Sequence, residues 1–131
     1  MFKLNNIGGI MSKQKSFSQL EKKFLRQFRE EVNNAENLSD LRNHFSYTIT
    51  NLLVQALDAY DIGISEEDIK FDPESDNHYE ISKNLKNNKY FQQTCKQSDL
   101  INVIDRFADT AYHHYIHINK HTERTNKKIR N

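Results

Sequence analysis

The chain has few of the residues that punctuate or staple a fold. Across 131 residues there are one cysteine, one proline and three glycines. The single cysteine, Cys95, excludes an intrachain disulfide and fits a reducing compartment, so a cytoplasmic location is expected. Cys95 itself reads as a small, half-buried side chain rather than a nucleophile. Three glycines leave no glycine-rich loop to cradle a phosphate. There is no nucleophile elbow and no Cys/His spacing of a zinc finger. No apolar run approaches the roughly 18–20 residues that a membrane helix requires, so no membrane partner is expected. The opening MFKLNNIGGIM is broken by Asn5, Asn6, Gly8 and Gly9 and makes a poor signal peptide. Met11 followed by SKQKS reads as a second possible start, so residues 1–10 are expected to be either a disordered extension or no part of the protein made in the cell.

What is present is polar but periodic. Hydrophobic content is 36% and charged content 28%, with a mean hydropathy of −0.89. The apolar residues nevertheless recur at regular spacing, so a folded domain with polar ends is expected rather than a disordered chain. The length suits one domain. A net charge of +1 points neither to nucleic acid nor to an acidic ligand.

Helical spacing sets the fold class. Phe17, Leu20, Phe24, Phe28 and Val32 mark a first helix, with Ser18 and Glu21 in the pattern of a capping box. Leu41, Phe45, Ile49, Leu52, Leu53, Ala56, Leu57 and Tyr60 make a wide stripe for a second helix, with Ser39 as its expected N-cap. Gly63 ends it. An irregular segment follows, in which IKF could be a brief extended piece and Pro73 forbids a long helix. From His78 to Cys95 a third helix is expected, with a weak stretch at NLKNNKYF that could split it in two. Ser98 caps a long fourth helix, over which Leu100, Ile104, Phe107, Ala111, Tyr115 and Ile118 share one face. The expectation is an all-α, compact bundle of about four helices over 16–122. A poorly ordered extension (1–15) precedes it and a basic tail (123–131) follows.

That fourth helix carries four of the six histidines and the residues best placed for chemistry. His113, His117 and His121 recur every four residues, and Asp109 lies four before His113. Neighbours four apart can share a metal, so Asp109, His113 and His117 form one candidate site for a transition metal such as zinc. The four-residue step drifts by about 40° each time, so one helix supplies two or three ligands and not a closed site. Outside this helix only His44 and His78 carry imidazoles, and the simpler expectation is a polar helix face without a cofactor.

Arg106 and His113 form a second grouping. RFADTAYH sets six residues between an Arg and a His, which places the two within about 20° of one helix face. This spacing resembles the Arg–His motif of HEPN domains, which are small all-α bundles that include many ribonucleases of toxin and defence systems. The resemblance implies metal-independent cleavage of an RNA phosphodiester across a dimer. Arg106 would neutralise the developing phosphorane charge and His113 would move the proton. It covers eight residues and the bundle outline. The family typically has a polar residue directly after the arginine, whereas Phe107 stands here and belongs to the core stripe. The structural alternative is a solvent-facing Arg106 paired with Asp105 or Asp109.

The basic residues Arg124, Lys127, Lys128 and Arg130 could lean on phosphates, but Glu123 dilutes them and no aromatic residue interleaves. A solubilising tail is expected. The preferred reading is a non-enzymatic protein-interaction or accessory module acting through a protein partner or self-association. Tyr112 and Ile116, off the main stripe, would form a homodimer face.

Overall fold

The structure, a computed structural model, describes residues 15–58 and 62–130, with side chains described through Lys120. The expected extension at 1–10 lies outside these residues, as do Tyr60 and Asp61 at the end of the second helical stripe. Five α-helices and two short strands are present among the described residues. They are α1 (Ser18–Asn34), α2 (Leu38–Ala56), β1 (Ile69–Phe71), β2 (Tyr79–Ile81), α3 (Lys83–Lys86), α4 (Lys89–Lys96) and α5 (Leu100–Arg130). The all-α bundle expected from periodicity is what forms, with one small antiparallel hairpin added to it.

α1, α2 and α5 build the core from the residues their periodicity marks. Phe28, Leu41, Phe45, Ile49, Leu52, Leu53, Leu100, Ile104 and Phe107 are all fully buried. Phe45 sits at the centre of a ring cluster. Its centroid is 6.5 Å from Phe28, 5.9 Å from Phe71 and 6.1 Å from Tyr79. Phe28 lies in turn 5.1 Å from Phe107, so rings from α1, α2, α5 and the hairpin meet in one place. Tilted and edge-on contacts of this kind add to the gain from burying the ring area itself.

The third helix expected from His78 requires correction. Tyr79–Ile81 is a strand paired with Ile69–Phe71, in register Ile69 with Ile81 and Phe71 with Tyr79. The brief extended piece expected at IKF is the strand Ile69–Phe71, paired in a ladder. Its alternation buries Ile69 and Phe71 and exposes Lys70. Three residues are too few for period two to stand out from period 3.6, so the pattern is ambiguous in sequence. Tertiary packing decides it: β1 lies against α2, where the buried Ser46 hydroxyl donates to the Ile69 carbonyl at 2.7 Å. The loop between the strands turns at Asp72–Ser75 and closes on His78, which adopts a left-handed φ of 71°. Beyond the hairpin, helix does resume in two short pieces. Ser82 caps α3, and Asn88 caps α4 by accepting from the amides of Tyr90 and Phe91.

Two expected caps are also used differently. Ser18 and Glu21 form no capping box, because α1 begins without a side-chain cap and Glu21 reaches across to α5. At α2 the cap is Asn37 rather than Ser39, and its side chain accepts from the Asp40 amide at 2.9 Å. Asp40 answers by accepting from the Glu36 amide, also at 2.9 Å. The start of α5 instead serves as a junction. Ser98 does accept from the Leu100 amide, while the Asp99 carboxylate accepts from the Phe17 amide at 2.8 Å and from the Ser16 hydroxyl. Lys15 pairs with Ser98 in a parallel bridge beside it. The chain is thereby fastened to α5 immediately before α1 starts.

Candidate functional site

The exposed side of α5 is set by its buried side. With Val103, Ile104, Phe107, Ala108 and Ala111 committed to the core, the opposite face carries Arg106, Asp109, His113, His117 and Lys120, all exposed. This face contains every candidate site residue. The elements on its two flanks differ. α1 meets α5 through Glu21 at Arg106 and through Ala35 at His114, so the two helices run in the same sense. The hairpin meets α5 on the other flank, where the Tyr79 hydroxyl donates to Asp105 at 2.8 Å and His78 stacks on Tyr112 at 3.7 Å.

Arg106 is paired, and with neither carboxylate expected of it. Its Nε donates to Glu21 Oε2 at 2.7 Å and its Nη2 to Glu21 Oε1 at 2.8 Å. The Glu21 side chain is only 12% exposed, against 52% for Arg106. The fork of the guanidinium matches the carboxylate, and hydrogen bonding to Glu21 makes the cation still harder to deprotonate. The partner stands on another helix, so spacing along α5 could not reveal it. Asp105 is occupied by Tyr79. Burial first, and that hydrogen bond second, push the phenol above its usual range.

Among the described residues, His113 has no hydrogen-bond partner. It shares the exposed face with Arg106 but lies nearly two turns further along. His114 is structural: the Ala35 carbonyl is 3.1 Å from Nε2, which therefore carries the proton and donates. Among the described residues no three His, Cys, Asp or Glu side chains are grouped to hold a metal ion, and Asp109, His113 and His117 make no such group. His121 lies beyond the described side chains.

Tyr112 makes its ring contact within the chain. It packs against the core, stacked parallel to His78, while Ile116 is half-buried. Arg42, exposed on α2, donates to the Phe71 carbonyl at 3.4 Å and helps hold the hairpin to α2.

Cys95 is half-buried, and burial pushes its thiol up to about 11 from 9.0. Thiolate is the reactive form but grows more nucleophilic as its pKa rises, so near pH 8 alkylation of the native protein is expected to run roughly 10-fold slower than that of the unfolded chain. Because the folded pKa is the higher one, this thiol's contribution to stability is complete below pH 9 and is lost as pH rises towards 11. Iodoacetamide labelling followed by mass, with and without urea, checks the first point. Denaturation across pH 8–11 for wild type and Cys95→Ala checks the second.

One feature stays hidden in the sequence because the net charge conceals it. Between Glu66 and Glu80 there are seven carboxylates and one lysine, Lys70, which is itself paired with Glu67. On the flank of α1 turned away from α2, Lys22, Arg26 and Arg29 border an open groove of about 360 Å³ with Leu25, Glu30 and Asn33. Among the described residues the hairpin segment is thus acidic, while one flank of α1 carries three cations and one carboxylate, Glu30. A signal is present as runs of like charge along the chain, but only the fold separates them in space. No family model, curated protein or solved structure matches the chain.

Proposed function

We propose that the protein is a non-enzymatic interaction module of the cytoplasm, which engages its partner along the exposed side of α5 and the adjoining flank of α1. The observation that carries this reading is the length of α5. Its last residue packed against the core among those described is Ile118, yet the helix continues to Arg130, about 18 Å further. Most helical stability in proteins comes from packing an apolar face, and an isolated helix of that length is marginal in water. A bound partner supplies the missing packing or charge neutralisation. The single free cysteine fits a reducing compartment, and no helix among the described residues is long and apolar enough to cross a membrane.

Position-specific photocrosslinking in cells tests this reading. A benzophenone side chain in place of Lys120 should give abundant adducts, whereas the same group in place of Lys83, exposed on α3, should give few. Equal yields at the two positions, or none at Lys120, would remove the proposal.

A second reading has one observation in its favour: Arg106 and His113 do share one exposed face of α5. As a HEPN-like ribonuclease, the protein would need a phosphate to displace Glu21 from Arg106. RNA cleavage without divalent metal, abolished by both Arg106→Ala and His113→Ala, is the result that would favour it.

A further inference from the structure

The binding flank has a chemistry of its own. Lys22, Arg26 and Arg29 recur along α1 at intervals of one helical turn, and none of them takes part in an ion pair among the described residues. Glu21, which could have neutralised them, is held by Arg106. On the neighbouring α5, His113 and Lys120 are exposed, and the same helix runs on through the sequence positions of Arg124, Lys127 and Lys128. Glu30, Asp109 and, at the sequence position before Arg124, Glu123 interrupt this band without balancing it. The carboxylates are concentrated instead around the hairpin, which meets α5 on its other flank.

We infer that this α1–α5 flank binds the phosphate backbone of a nucleic acid, without reading its sequence. The inference rests on the reading of that flank as the binding face, and adds the class of partner. Three features favour phosphate over an acidic peptide. The cations are spread along two helices running in the same sense, which suits a linear repeat of charge. The groove has one half-buried apolar residue, Leu25, and lacks the aromatic or aliphatic anchors that centre a protein interface. Arginine and lysine at successive turns can each meet a phosphate while no base edge need be touched, which gives affinity without specificity. The acidic hairpin adds orientation, since it repels a polyanion from the opposite side. Net charge alone hides this surface, because the two halves nearly cancel.

The probe is a fluorescein-labelled oligouridylate, titrated with the full chain and followed by anisotropy at several salt concentrations. Binding should weaken steeply with salt. The triple variant Lys22→Gln, Arg26→Gln, Arg29→Gln should lose at least about tenfold in affinity at low salt. The slope of log K against log salt should fall by roughly two, at about 0.7 for each single-strand phosphate that is no longer neutralised. A second variant, His113→Gln with Lys120→Gln, lies on the other helix and should also weaken binding, so the test does not depend on α1 tolerating three changes. The control Lys83→Gln, Lys86→Gln, Lys89→Gln removes as much charge from α3 and α4 and should leave binding unchanged. Equal loss in that control, no binding by wild type, or tighter binding to polyglutamate or to phosphatidylserine vesicles overturns the inference. If the oligonucleotide fails while crosslinks at Lys120 still form to protein, the face stands and the class of partner falls. If both fail, the reading of the face falls too.

Discussion

Phe45→Ala is expected to cost about 3–5 kcal/mol, a large part of the roughly 5–15 kcal/mol that holds a domain folded. Phe45 is fully buried on α2 and lies within ring contact of Phe28, Phe71 and Tyr79. Truncation removes the apolar area of the ring and leaves a void bordered by α1 and the hairpin, neither of which can close without giving up its own packing. The loss therefore includes a cavity term as well as a transfer term. Urea denaturation read by far-UV circular dichroism should show the midpoint moved far down, or no folded baseline. Phe45→Leu keeps most of the volume and should cost much less. A shift below about 1 kcal/mol for the alanine variant would mean that the ring cluster is not the centre of the core.

The second large effect is expected at Phe71→Ala, also about 3–5 kcal/mol. Here the contrast between architectures is sharp. If the hairpin were a surface ornament on a four-helix bundle, truncating a strand residue would barely matter. Phe71 is instead 1% exposed, faces Phe45 at 5.9 Å and meets Tyr115 of α5 at 6.4 Å. It joins α2 to α5 through the sheet. The Ser46 hydroxyl on Ile69 and the Arg42 guanidinium on Phe71 hold the same strand by its backbone. Loss of these constraints should raise amide exchange throughout β1 and β2 as well as lower global stability. A variant as stable as wild type would return the hairpin to the status of a loop.

These two positions also show what is legible in the sequence. Phe45 can be assigned to the core, because Leu41, Phe45, Ile49 and Leu52 recur at helical spacing over many turns, and long periodic segments are the most reliable signal. Phe71 cannot. Its strand is three residues long, its partner strand lies across a loop built around Pro73, and the segment containing Tyr79 and Ile81 suits a helix equally well on spacing. Local pattern fails where an element is shorter than the period needed to recognise it.

The candidate site divides in the same way. The exposed face of α5, with Arg106, Asp109, His113 and His117, follows from the position of the core stripe. The partner of Arg106 does not, since Glu21 is 85 residues away and matches a capping pattern that suggests a local role. Tyr112 reads as a spare aromatic residue until His78, from the hairpin, is found stacked on it. Charge segregation is invisible to any count over the whole chain, because it depends on the hairpin and α1 lying on different flanks of α5. In each case the missing information is tertiary proximity between distant segments.

Chemical-shift mapping of the isotopically labelled full chain, during titration with an oligouridylate, would show directly which surface binds. The amides perturbed most should lie in residues 22–33 of α1 and 113–120 of α5, with those between Glu66 and Glu80 unmoved. Perturbations centred on the hairpin, or a spectrum that does not change at all, would contradict a phosphate-binding α1–α5 flank.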